Sequence, residues 1–292
     1  MSDFVEHNSC FSNFNSSSSW VILSPIEQSI KQKIENVGTP LKNWDINIYR
    51  GVLTGFNDAF IINGAKREEI LANCKDDTER TKTAELIRPI LRGRDIKRYS
   101  YEYADLYLIA TFPSKHYDIE EYPTVKEYLL DFGMERLEQT GKEYTKDGIK
   151  IKARKKTNNK WFETQDSISY WDEFFQPRIV YCEIGAEMDA CMIDPGIFIN
   201  NKLYMVSGKY LDYLLIFFNS KLFNKVILQS ANVTGGKGVD FMNKIHCIIP
   251  NQHQMAEATR LLHNNSSDSA KDEFINSIYD LSPLQKEYLQ TI

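Results

Sequence analysis

The sequence lacks the residue patterns that cross-linked, metal-bound and membrane-spanning proteins display. Its five cysteines (Cys10, Cys74, Cys182, Cys191, Cys247) are an odd number, widely spaced and without a Cys-x-x-Cys pair. That argues against a disulfide framework and a zinc ribbon, and fits a reducing, cytoplasmic setting. The histidines are scattered, and His246 and His253 stand seven apart, which is no recognised ligand spacing, so no metal is expected. The most apolar stretch, Tyr213 to Phe218, lies between Asp212 and Lys221 and is far too short to span a bilayer. No basic-then-apolar signal pattern opens the chain. Catalytic signatures are also missing. Nothing marks a nucleophile elbow, no carboxylate and lysine pair has nuclease spacing, and no Gly-x-Gly-x-x-Gly follows a strand. The glycine-rich patch Thr234–Gly238 lacks phosphate-loop spacing and reads as a turn, with Lys237 as a candidate phosphate contact.

An excess of positive charge is lacking too: 35 Lys and Arg face 40 Asp and Glu, for a net charge of −5 and a pI near 5.7. Taken as an average this speaks against nucleic acid, but averages are weak when basic residues cluster on one face. They do cluster. Between Lys142 and Lys160 eight Lys or Arg stand against Glu143 and Asp147, and Arg88, Arg92, Arg94, Lys97 and Arg98 lie within eleven residues opposed by Asp95. Pro89 and Gly93 argue against a long helix in the second cluster, so its arginines are expected on a loop or strand end. Guanidinium forks match phosphate oxygens, but an arginine such as Arg94 can equally pair with a carboxylate and pin the loop.

Residues 1–19 are polar and serine-rich and read as a disordered linker. Residues 20–40 read as a connecting helix. Ser24-Pro25-Ile26-Glu27 gives an N-cap serine, a proline at the first position and a capping-box glutamate, with Ile26, Ile30 and Ile34 as the stripe and Gly38 as the stop. From Leu41 to Ala110 short apolar runs broken by glycine look strand-like, and Gly51 and Gly55 suit a hairpin or bulge. Further strands are expected near 105–111, 177–184, 197–206 and 245–249, with Asn200-Asn201 as a tight turn. Helices are expected at Pro123–Thr140 and Lys209–Gln229, and 142–160 as a loop or long hairpin. Residues 41–250 thus read as one α+β unit of mixed and antiparallel sheet with inserted helices. Residues 251–292 read as a C-terminal helical segment.

Ile48–Ile62 (IYRGVLTGFNDAFII) and Leu86–Tyr99 (LIRPILRGRDIKRY) together resemble the opening of the TaqI-like specificity domain, the DNA-reading part of N6-adenine methyltransferases and fused restriction-modification enzymes. Lys160–Thr164, Pro177–Ile184, Leu211–Lys221 with its Asn219-Ser220, Ile248–Pro250 and Ile275–Ile292 continue the likeness over residues 20 to 292. The resemblance implies double-stranded DNA as partner and an adenine methyltransferase domain or subunit that binds S-adenosylmethionine. That half carries an Asn/Asp-Pro-Pro-Tyr/Phe motif, which none of the nine prolines here supplies. The chain is accordingly expected to be non-catalytic, without a cofactor of its own: a fragment, a split subunit or a remnant. Candidate DNA-contacting residues are Arg92, Arg94, Lys97, Arg98, Lys152, Arg154, Lys155, Lys156, Asn158, Lys160 and Lys237. Arg154, Asn158 and Asn159 are the candidate base readers. Trp161, Phe162, Tyr170, Trp171, Phe174 and Phe175 either stack against bases or form core beneath a lysine loop. Competing readings are half of a type I restriction specificity subunit, a protein-interaction module suited to the net negative charge, and an enzyme with an unrecognised site.

Overall fold

The computed structural model describes residues 23–146, 148–183, 187–229 and 237–291. The serine-rich stretch 1–19 and residues 234–236 of the glycine-rich patch lie outside the described residues.

In chain order the main elements are α1 (Pro25–Val37), β1 (Ile46–Arg50), β2 (Ile61–Asn63), α2 (Gly64–Ala72), α3 (Asp77–Leu86), β3 (Ile87–Leu91) and β4 (Leu106–Ile109). Then follow α4 (Pro123–Leu130), α5 (Met134–Leu137), β5 (Glu143–Lys146), β6 (Ile149–Lys152), β7 (Arg178–Cys182), β8 (Ala190–Ile193), β9 (Phe198–Ile199) and β10 (Leu203–Gly208). The chain closes with α6 (Leu211–Asn219), α7 (Val239–Lys244), α8 (Gln252–His263), α9 (Asp268–Ile278) and α10 (Pro283–Gln290). This is an α+β fold.

The organising element is an antiparallel sheet in the order β8-β7-β10-β1. Successive side chains of a strand point to opposite faces, and here both faces are buried. Ile179, Tyr181, Tyr204 and Val206 join a core with α1 and the helices after residue 210. Val180, Cys191, Leu203 and Met205 face the other way, into a core shared with the second sheet, in the order β9-β3-β4-β2, and with α2, α3 and α4. That is why strand β7 reads RIVYC, apolar without alternation.

The two sheets are joined where β9 turns into β10. Val52 donates to Ile199 (2.7 Å), Gly51 to Leu203 (2.8 Å) and Asn200 to Leu91 (3.0 Å). A Cβ on Gly51 would sit 2.1 Å from the Asn200 carbonyl oxygen, so this glycine is required by close approach and not by a positive φ. The Asn200-Asn201 turn therefore passes the chain from one sheet to the other and does not join neighbouring strands.

Three expectations change in detail. The segment between Leu41 and Ala110 contains α2 and α3 as well as strands. The helix expected at Pro123–Thr140 breaks at Gly133, whose φ is +84°. The helix expected at Lys209–Gln229 ends at Asn219 and resumes as a π turn, Phe223–Ile227. Asn219 explains the break. Fully buried, it accepts from the Ala190 amide (3.1 Å) and donates to the Ala190 carbonyl (2.9 Å), completing the edge of β8 as a neighbouring strand would.

Among the described residues no helix is long and apolar enough to cross a membrane. Nor does any group of His, Cys, Asp and Glu among them assemble as a metal site.

Candidate nucleic-acid interface

The basic stretch is organised around Arg154, which is 2% exposed. Its Nε donates to Leu137 O (2.8 Å), Nη1 to Thr54 O (3.1 Å) and Glu163 O (2.7 Å), and Nη2 to Trp161 O (2.5 Å). The guanidinium lies 4.9 Å from the Phe60 ring centre. Burial, with Arg136 nearby, pushes its pKa down to about 10. It stays charged at neutral pH and holds three separate chain segments, around Thr54, Leu137 and Trp161–Glu163, by four carbonyls. Arg154 is therefore not available to a base or a phosphate, which corrects its assignment as a reader.

The residues after Arg154 alternate in role. Thr157 donates to Gln139 Oε1 (2.9 Å), and Asn159 Nδ2 donates to Thr164 O (3.1 Å) and Gln165 O (2.9 Å). Gln139, 4% exposed, donates in turn to Lys160 O and Glu163 O. The Lys160 amide donates to the Glu163 carboxylate (2.6 Å). These side chains tie the loop from beneath. Lys155, Lys156, Asn158 and Lys160 are exposed on its outer side, as is Lys152 just before it. Asn159 is thus corrected from a reader to a structural tie, whereas Asn158 keeps its outward position.

The glycine turn supports the same point. Gly55 has φ +77°, and a Cβ there would meet Gln165 at 2.9–3.0 Å and Arg154 Cδ at 3.3 Å. Arg136, which sequence reasoning missed, donates to Lys152 O (2.8 Å) and covers the Phe56 ring at 4.0 Å. Its signal was faint, a single arginine beyond the helix break at Gly133.

The arginine-rich motif at 92–98 divides differently. Arg92 forms a bidentate pair with the buried Asp95 (3.0 and 2.8 Å), which also accepts from the Arg92 amide (2.7 Å). The hydrogen bond to Asp95 raises the Arg92 pKa. Arg98 pairs with Asp268 of α9 at 3.0 Å, and Lys271 of the same helix sits 3.9 Å from the Tyr99 ring centre. Both arginines are structural ties, a correction to their assignment as DNA contacts. Arg94 and Lys97 are exposed, with Lys97 3.9 Å from Glu102. Lys237 is 2% exposed and donates to Glu187 O (2.6 Å), so it too is withdrawn from the DNA-contacting set. No hydrogen bond or ion pair among the described residues joins the 92–98 motif to the 142–160 stretch.

The aromatic cluster is mainly core. Phe174 stacks on Phe198 (4.1 Å), Trp171 meets Phe112 edge-on (5.7 Å), and the buried Arg178 lies over Phe174. Phe162 and Phe174 are buried, while Trp161, Tyr170, Trp171 and Phe175 are half-buried. Burial pushes the Cys191 and Cys247 thiols up to about 12, which leaves them protonated and poor nucleophiles.

The sequence family described as the TaqI-like C-terminal specificity domain matches residues 88–244. Among solved structures, the type IIL restriction-modification enzyme MmeI in complex with DNA is similar at TM-score 0.52 and 10% identity, over 87% of this chain and 36% of that one. The type IIG restriction endonuclease BpuSI is similar at TM-score 0.46 and 12% identity, over 82% and 28%. The chain spans about a third of the length of these enzymes. No curated protein matches the sequence.

Proposed function

The chain belongs to the TaqI-like C-terminal specificity domain family, and on that premise we propose that it is a DNA target-recognition module acting with an adenine-N6 methyltransferase domain or subunit. One observation carries the reading most directly. Between Arg154 and Lys160 the inward side chains are spent on fixing the loop, and the outward ones are Lys155, Lys156, Asn158 and Lys160. A loop pinned so thoroughly from beneath with cations on top suits a rigid, polyanionic partner. Phosphate contacts from Lys152, Lys155, Lys156 and Lys160 set affinity and register, while base edges set specificity.

In this reading the chain binds no cofactor. S-adenosylmethionine and the chemistry of methyl transfer belong to the partner, into whose pocket the target adenine is flipped because its amino nitrogen is unreachable within the duplex.

The test is selection by the purified chain from a pool of duplexes with a randomised centre, at about 0.1 M salt. The reading expects enrichment of one short sequence, bound at least about a thousandfold more tightly than random duplex. A chain that retains no duplex at that salt is an interaction module of another kind.

A further inference from the structure

Beyond its base, the hairpin β5–β6 takes no part in holding the loop. Its register pairs Glu143 with Lys152, Tyr144 with Ile151, Thr145 with Lys150 and Lys146 with Ile149. Strand geometry places these on two faces. One face anchors the hairpin, because the Tyr144 hydroxyl donates to Glu138 (2.7 Å) and Lys146 lies 3.6 Å from Glu135. The base is fixed again where Arg136 donates to Lys152 O. The other face carries Glu143, Thr145, Lys150 and Lys152, all exposed and without a side-chain partner among the described residues. At the tip Ile149 is 67% exposed, next to Gly148, around whose Cβ position nothing lies within 4 Å.

An exposed isoleucine gains nothing from a phosphate. Bases offer it the thymine methyl group, which lies in the major groove. That groove is about 12 Å wide and admits a two-stranded ribbon, whose strands stand roughly 4.8 Å apart. We infer that this hairpin is the base-reading element. It enters the major groove tip first, with the cross-strand pair Thr145 and Lys150 on one face toward base edges and Ile149, on the opposite face at the tip, against a thymine methyl. Lysine donates to guanine O6 and N7, and a threonine hydroxyl donates or accepts. The lysines of the loop then fall on the flanking phosphates. The inference rests on the DNA-recognition reading above and adds residues that it does not name.

The same randomised duplex pool tests it, with wild type beside the triple variant Thr145→Ala, Ile149→Ala, Lys150→Ala. Because all three side chains are exposed or at the tip, the variant should melt with the wild type. The inference expects the variant to lose preference at one or two base positions, about tenfold or more each. Its affinity for random duplex should fall no more than the removal of one lysine charge allows. Replacing thymine by uracil at one selected position should weaken the wild type and leave the variant unaffected. If the variant enriches the same sequence as stringently as the wild type, the hairpin reads nothing and this inference fails while the recognition function stands. If the wild type itself enriches no sequence, both fail.

Discussion

Arg154 and Lys156 stand two positions apart in one basic run, yet their environments give them opposite roles. Arg154 satisfies carbonyls of Leu137, Thr54, Glu163 and Trp161. Thr54 and Glu163 also accept from Gln165 and Gln139, so its removal leaves the carbonyls of Leu137 and Trp161 unpaired. Arg154→Met is expected to cost about 3 kcal/mol or more in urea unfolding, at roughly 1–3 kcal/mol per orphaned group. Lys156→Ala should stay within about 0.5 kcal/mol of wild type and weaken duplex binding. Equal effects of the two on stability would contradict these opposite roles. Composition cannot separate these residues, because both are cations in a hydrophilic run. The difference is made by segments far away in sequence, around Thr54 and Leu137. Asn219 shows the same limit. The sequence marks it only as the end of an apolar helix, whereas the fold uses it to pair with Ala190 of β8. Asn219→Ala should cost about 1–3 kcal/mol by leaving the buried Ala190 amide of β8 unpaired, while the Ala190 carbonyl keeps the Tyr99 amide. The cost is measured as a shift in the unfolding midpoint at constant slope. A neutral result would mean that the edge of β8 is satisfied in another way.

Elements with strong local signals were legible in the sequence, and those shaped by tertiary contacts were not. Helix α1 starts at the capping box and stops before Gly38, as Ser24, Pro25 and Glu27 dictate. The strand read at 105–111 appears as β4, and the basic stretch contains the β5–β6 hairpin. Helices α2 and α3 escaped notice because their buried sides are narrow, Ile70 and Leu71 in one and Glu79, Thr83 and Leu86 in the other, amid many charges. The first turn of α1 carries a further prediction. Burial alone would raise the Glu27 pKa, but donors on Tyr288, Ser24 and Gln229 outweigh it and hold the carboxyl below its ordinary value of 4.5. A depressed pKa contributes stability above the ordinary value and loses it as pH falls through the folded one. Wild type should therefore exceed Glu27→Gln in urea midpoint at pH 7, and the gap should close below about pH 4.5. A gap that widens on acidification would reverse the assigned sign.

Across the whole molecule, net charge hides the feature that matters. A chain of net charge −5 exposes Lys152, Lys155, Lys156 and Lys160 within nine residues, while Arg92, Arg98, Arg154 and Lys237 are drawn into structural ties. The sequence located the basic stretch but could not show which of its cations point outward. The measurement that tests this most directly is the salt dependence of binding to a random-sequence duplex, compared between wild type and a variant with Lys152, Lys155, Lys156 and Lys160 all changed to alanine. Melting should confirm equal folding. The account predicts that the slope of log affinity against log salt flattens by about 0.9 for each phosphate that the variant no longer neutralises, roughly 3 to 4 in all. A variant that keeps both the affinity and the slope of the wild type would show that these lysines are merely solvated and would contradict the account.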